Sequence, residues 1–230
     1  YSFTALHAMS FTQDIYNRSI KLQRAILSHP FVRGIGDGSL DVEAFKHFIR
    51  QDYLYLVDYA RVFAVAAARS PDLDTMTRFA QLLHDTLHTE MSLHRGYCAR
   101  FGITKADLEA TMPAPTTQAY TNYLLRTAYQ GSFSELAAAL LPCMWGYCDV
   151  GLHLAAKGVT AHAPLYAEWI DMYAAPEFKA LADWMRGLVD KLAEAAGPDE
   201  RARMEAAYVA CSRYEYAFWD MAYKKEQWPV

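Results

Sequence analysis

The 230-residue sequence has no apolar run approaching the roughly 18 residues of a membrane-spanning helix, which argues against a helical anchor. It has no excess of basic charge. Lys and Arg number 22 against 26 Asp and Glu, the signs are mixed along the chain, and the net charge is −4. A surface that neutralises phosphates needs a basic stripe, so nucleic acid is not expected as a partner. Cysteine is scarce: Cys98, Cys143, Cys148 and Cys211 form no CxxC pair, which removes the usual zinc knuckle. The first residues lack a basic stretch followed by an apolar one, so export is not expected; the thiols read as reduced, in a cytoplasmic protein. Internal repeats, low-complexity tracts and runs of alternating apolar residues are also missing, and with the last of these goes any convincing strand.

What is present is helical periodicity. Phe3, Leu6, Phe11, Ile15, Ile20, Leu22, Ile26 and Leu27 predict helix over 3–28, stopping at His29-Pro30. Three glycines in Gly34–Gly38 predict a turn, with Ser39 capping a long helix over 40–69. Ser70 reads as the next cap, with Pro71 at the first helical position and the helix ending at Phe101-Gly102. Residues 111–117 read as a loop. Helix resumes through Tyr129, Ser132 caps another that carries Pro142 and runs to about Lys157, and further helices cover 164–173, 176–196 and 198 to before Trp228. With 53% hydrophobic residues and no break in composition, the expectation is an all-α, single-domain helical bundle over residues 1–230.

Three places in these helices could carry chemistry. Pro142-Cys143 lies inside an apolar helix, where proline costs roughly 3 kcal/mol, so the kink or opened turn it makes is expected to be useful. Cys143 is then either a nucleophile beside that kink or a small inert core residue; Tyr147 follows one turn later on the same face. Asp52, Tyr55 and Tyr59, spaced i, i+3 and i+7, share a face. They could grip the edge and plane of an aminopyrimidine-like ring, or be core tyrosines beside a structural Asp52–Arg61 or Asp58–Arg61 pair. Glu215 sits among Tyr214, Tyr216, Phe218 and Trp219. Desolvation there would hold it protonated as a general acid, unless it lies on a wet helix edge paired with a base. A rival set, His84, His88, Glu90 and His94 with His153, resembles half of a di-iron site. No second Glu-x-x-His completes it, and a solvated polar face accounts for it as well.

Together the segments His29-Pro30-Phe31, Gly36-Asp37-Gly38-Ser39-Leu40, Phe45 through Tyr55, Leu140 through Trp145, Tyr166 through Tyr173 and Tyr214 through Tyr223 resemble the TenA, or thiaminase II, family, in order along nearly the whole chain. The resemblance implies a haem-oxygenase-like bundle and a hydrolase of thiamin salvage. Such an enzyme takes the amine from 4-amino-5-aminomethyl-2-methylpyrimidine, giving the hydroxymethyl compound, and cleaves thiamin less readily. It implies Cys143 as nucleophile, Glu215 as proton donor and Tyr55 as the phenol hydrogen-bonded to the thiol. Asp52, Tyr147 and Tyr173 are implied as pyrimidine-binding positions, with Tyr120 and Phe218 lining the pocket. It further implies a homotetramer with no metal or other cofactor. Relatives of the same fold suggest two alternatives, a non-haem di-iron oxidase and a non-catalytic pyrimidine-binding regulator.

Overall fold

The computed structural model describes residues 9–158 and 162–230. Within them lie thirteen α-helices, two π-helical segments and no strand, so the all-α expectation holds. Helices α1 (Phe11–Arg18) and α2 (Ile20–Leu27) divide the predicted first helix at Ser19, whose hydroxyl donates back to the Ile15 carbonyl at 2.9 Å. Phe3 and Leu6, assigned to the same helix from sequence, lie outside the described residues.

Helix α3 (Pro30–Asp37) overturns the predicted glycine turn. Gly34 and Gly36 are helical, and their missing side chains serve packing. A Cβ on Gly34 would stand 3.0 Å from the Leu40 Cα, and one on Gly36 2.7 Å from Leu154 Cδ2. Only Gly38, at φ +77°, needs the left-handed conformation. Helix α4 (Val42–Arg69) is capped by Asp41, which accepts from the Glu43 N–H at 3.1 Å. The expected cap, Ser39, is engaged elsewhere, its hydroxyl donating to Asp37 at 2.5 Å.

Asp72, not Ser70, caps α5 (Leu73–Asp85) by accepting from the Thr75 N–H at 2.8 Å. A π-helical segment, Thr86–Glu90, then joins it to α6 (Met91–Arg100), interrupting the one long helix that the sequence predicts. A short α7 (Lys105–Ala110) precedes the loop, and α8 (Pro115–Gln130) follows it. Helix α9 (Phe133–Leu141) starts at Ser132 as predicted, in a capping box with Glu135. A second π-helical segment, Pro142–Gly146, leads into α10 (Tyr147–Ala156). Helices α11 (Pro164–Ala174), α12 (Pro176–Ala195) and α13 (Pro198–Lys224) complete the fold close to their predicted spans.

Helices α4 and α13 are the long central elements; α13 packs on α9, α4, α2 and α8, and α4 on α5 and α8. Every residue from Leu136 to Leu141 is buried. The three leucines among them each contribute about 1.5–3 kcal/mol by leaving water, which together exceeds the cost of the proline that follows. This is how the bundle tolerates Pro142 at its centre. On the other side of the second π segment, α10 and α11 approach so closely that a Cβ on Gly151 would lie 2.5 Å from the Tyr173 backbone. That contact sets the depth of α11, and with it of Tyr173.

Candidate active site

The α4 face predicted from spacing opens onto a cavity of about 550 Å³. Asp52, Tyr55 and Tyr59 line it, as do Cys143 from the second π segment, Tyr147 from α10 and Tyr173 from α11. Tyr55 and Tyr59 stack at 5.3 Å between centroids, and Tyr147 meets Tyr173 at 4.9 Å. Five of the eight predicted site residues therefore meet at one wall. The other three, Glu215, Tyr120 and Phe218, form a layer behind it. The Tyr120 and Phe218 rings lie 5.1 and 5.9 Å from Tyr55, and the Tyr120 hydroxyl donates to Glu215 Oε1 at 2.6 Å.

The sulfur owes its position to the π segment. In a π turn the hydrogen bonds skip one residue further than in an α-helix, so the turn bulges and redirects its side chains. Pro142 has no N–H to offer an α-helical ladder, so the wider turn starts where it costs least. Cys143 Sγ donates to the Tyr59 hydroxyl at 2.7 Å. The sequence reading gave that bond to Tyr55, one turn earlier. The Tyr55 hydroxyl lies close enough to favour the ionised sulfur, but it is buried without a hydrogen-bond partner among the described residues. Tyr59 shares the face read from spacing but is not among the site residues the resemblance implies; the crossing of α4 with the π segment brings its hydroxyl to the sulfur.

Electrostatics divide the wall into two groups. Burial, then the Glu215 charge, pushes the Cys143 pKa well above that of a free thiol, while Tyr59 and Tyr55 pull it down. The resting group is a thiol. Glu215 is 5% exposed, and burial raises its pKa to about 8 against the lowering effect of the Tyr120 hydrogen bond. Near neutrality it is thus a carboxylic acid, as its aromatic neighbours predict. The buried alternative to the wet edge wins here.

Asp52 has a partner other than the arginine considered from sequence. Arg61 pairs with Asp58, and Asp52 accepts from His94 Nε2 at 2.6 Å. Burial lowers the His94 pKa, but the adjacent Asp52 charge and hydrogen bond outweigh it and raise the value overall. The other ring nitrogen, Nδ1, lies 3.2 Å from the Glu90 carbonyl. Glu90 also lines the cavity, and burial lifts its pKa to about 7. The histidines weighed as half a metal site have other partners: His94 orients Asp52, while the His84 and His88 rings meet each other, tilted, at 4.4 Å. Among the described residues no three His, Cys, Asp or Glu side chains converge at metal-holding distance. The i, i+4 spacing of Glu90 and His94 was the signal for their shared face; their partner on α4, 42 residues away from His94, had none.

Comparison with known proteins agrees with this geometry. Residues 17–225 match the model of the TENA/THI-4/PQQC family. The chain is 47% identical to an aminopyrimidine aminohydrolase of Halalkalibacterium halodurans, over 96% of this chain and 98% of that protein. It is 37% identical to an aminopyrimidine aminohydrolase of Bacillus subtilis, over 96% and 92%. Among solved structures, a TenA homologue from P. horikoshii OT3 superposes with a TM-score of 0.86 at 28% identity, covering 94% of this chain and 99% of that one. A Shewanella denitrificans domain with a haem-oxygenase-like fold gives 0.71 at 15% identity, over 93% and 92%, a likeness of fold alone. With a family model spanning nearly its whole length and close relatives matched end to end, the chain belongs to the TENA/THI-4/PQQC family.

Proposed function

We propose that the protein is an aminopyrimidine aminohydrolase of thiamin salvage. On this reading it converts 4-amino-5-aminomethyl-2-methylpyrimidine and water to the hydroxymethyl compound and ammonia, and cleaves thiamin to its pyrimidine and thiazole halves. The observation that carries this reading is the Cys143–Tyr59 hydrogen bond at the wall of an aromatic cavity, with the buried acid Glu215 one layer behind.

The cavity suits a flat polar ring. Tyr147 and Tyr173 offer faces to stack on, and Asp52, held by His94, is the acceptor for an exocyclic amine. Sulfur adds to a ring carbon and its proton passes to a ring nitrogen. As sulfur ionises, Tyr59 can reverse its hydrogen bond and donate, and Tyr55, unpartnered beside it, can do the same. Electron density placed in the ring by the addition expels the 5-methylene amine, which leaves as ammonia after taking the Glu215 proton. Glu215, now a carboxylate, takes a proton from water as the hydroxyl adds to the methylene. Loss of sulfur restores the aromatic ring, and the proton on nitrogen returns to the thiol. Tyr120 holds Glu215 in place, and Phe218 backs Tyr55.

The reading extends to a single functional unit over residues 1–230, active in the cytoplasm as a homotetramer. Exposed Leu87, Leu93 and Leu152 support the oligomer, and no described helix is long and apolar enough to cross a membrane. The test is ammonia release from the aminomethylpyrimidine, and thiazole release from thiamin, by the purified protein and its Cys143→Ser variant. Release abolished by the substitution is the expected result; an almost fully active variant would sink the covalent scheme.

A further inference from the structure

Glu215 lines a second space, separate from the large cavity. Its Oε1 accepts from Tyr120, whereas Oε2 has no partner among the described residues. Beyond the carboxyl lies a separate cleft of about 10 Å³, close to the space one water molecule needs. A water also needs two to four polar partners, and this lining supplies them. Tyr208, Ser212 and Gln23 bring a phenol, a hydroxyl and an amide, and the Gln23 amide donates to the Tyr208 hydroxyl at 3.2 Å. Ser212 stands one helical turn before Glu215 on α13, and the Gln23 amide reaches it at 3.5 Å. Towards the surface the cleft is bordered by half-buried Tyr16, Gly146 and Asp149. Tyr147 lines both the cleft and the substrate cavity, so its ring is part of the partition between them.

We propose that this cleft is the water port of the active site: it holds one water molecule against the free oxygen of Glu215 and delivers it past Tyr147 to the substrate methylene. The inference rests on the hydrolytic reading above. Hydrolysis needs a water at the methylene while a pyrimidine fills the large cavity, and a rear port supplies it without requiring the ring to move. At delivery the water O–H breaks, its proton goes to the Glu215 carboxylate, and the C–O bond forms. Gln23 and Ser212 are positioning residues in this scheme, since they act through the water. The π segment builds the port as well as the thiol site, because Pro142 and Gly146 both border the cleft.

The experiment is steady-state hydrolysis of the aminomethylpyrimidine across pH by the wild-type protein, Gln23→Leu and Ser212→Ala. The groups facing Glu215 (Tyr55, Tyr59, Tyr120, Asp52, Tyr147, Cys143 and Cys211) are unchanged in both variants. Gln23→Leu removes the amide that ties the network together. Ser212→Ala removes the hydroxyl beside that amide without adding bulk. The expected result is kcat lowered at least ~10-fold with KM within about twofold, and the alkaline limb of the rate profile moved upward as Glu215 loses its water. Gln23→Leu decides the matter if its thermal unfolding matches the wild type, and Ser212→Ala decides it otherwise. Unchanged kcat and an unchanged limb in the deciding variant would overturn the port. Absence of hydrolysis by the wild-type protein would instead overturn the hydrolytic reading.

Discussion

The two π-helical segments face the same cavity and do different work. Pro142–Gly146 packs against α9, α10, α12 and α13, buries Pro142, Met144 and Trp145, and carries the thiol. Thr86–Glu90 packs on α4 and α5 but leaves Leu87 46% exposed, and it carries Glu90, a carboxyl on the wall. The first has a cause written into the chain, since a proline cannot complete an α-helical turn. The second contains no proline or glycine, and no such local cause for its wider turn is present in Thr-Leu-His-Thr-Glu. A buried π turn with a proline can hold a nucleophile against a phenol to within a hydrogen bond; a half-exposed one shapes the cavity's charge. On the proposed function, chemistry resides on the first segment and substrate attraction on the second.

Substitutions can break this contrast, beginning with the largest expected effect. Cys143→Ser keeps the fold, because a hydroxyl fits the space of a thiol, and lowers kcat by ~10³-fold or more in the hydrolysis assay. Glu215→Gln follows, with a loss of about 10²-fold or more. Its signature is the pH profile. The ordinary carboxyl value is 4.5, burial raises that of Glu215 to about 8, and the acid form therefore persists below about pH 8 and is lost above it. Wild-type kcat should fall as pH rises through 8, and this limb should vanish in the variant. A limb that survives Glu215→Gln would assign it to another group.

Pro142→Ala sharpens the comparison directly. It relieves up to about 3 kcal/mol of helix penalty, so thermal unfolding should move to higher temperature if the turn relaxes towards an α-helix. The same relaxation moves the sulfur away from Tyr59, and a misplacement of about 1 Å is expected to cost ~10²-fold in kcat. A variant both stabilised and fully active would show that the π turn is not what positions the thiol. On the other segment, Glu90→Gln is expected to leave kcat nearly unchanged. It should raise KM for the aminomethylpyrimidine about fivefold, the equivalent of ~1 kcal/mol for one lost polar contact on the cavity wall. A loss of kcat there comparable with Glu215→Gln would erase the distinction between the two segments.

The divided legibility of the chain follows the range of the forces involved. Helix spans from Ser132 onward, the thiol beside its proline, the desolvated Glu215 and the Asp52–Tyr55–Tyr59 face could all be read from neighbours within a few residues, because capping, periodicity and local aromatic density act at that range. The family resemblance added the pairing of these separate stretches into one site. The glycines of α3 misled because the same residue serves positive φ and close packing; Gly34 and Gly36 are there for Leu40 and Leu154, contacts that no local pattern announces. His94 misled for a similar reason: its histidine and carboxylate neighbours suggested metal, while its actual partner, Asp52, stands on another helix.

The sequence by itself determined an all-α chain, the break at Pro142 and the residue types available for the chemistry, since these depend on backbone geometry and nearest neighbours. The tertiary structure decided that the thiol hydrogen-bonds Tyr59, that His94 holds Asp52, and that Glu215 lies one layer behind the cavity wall, beside a water-sized cleft. Each of those depends on how helices far apart in the chain cross, and a difference of one turn between crossing helices changes which hydroxyl a sulfur can reach.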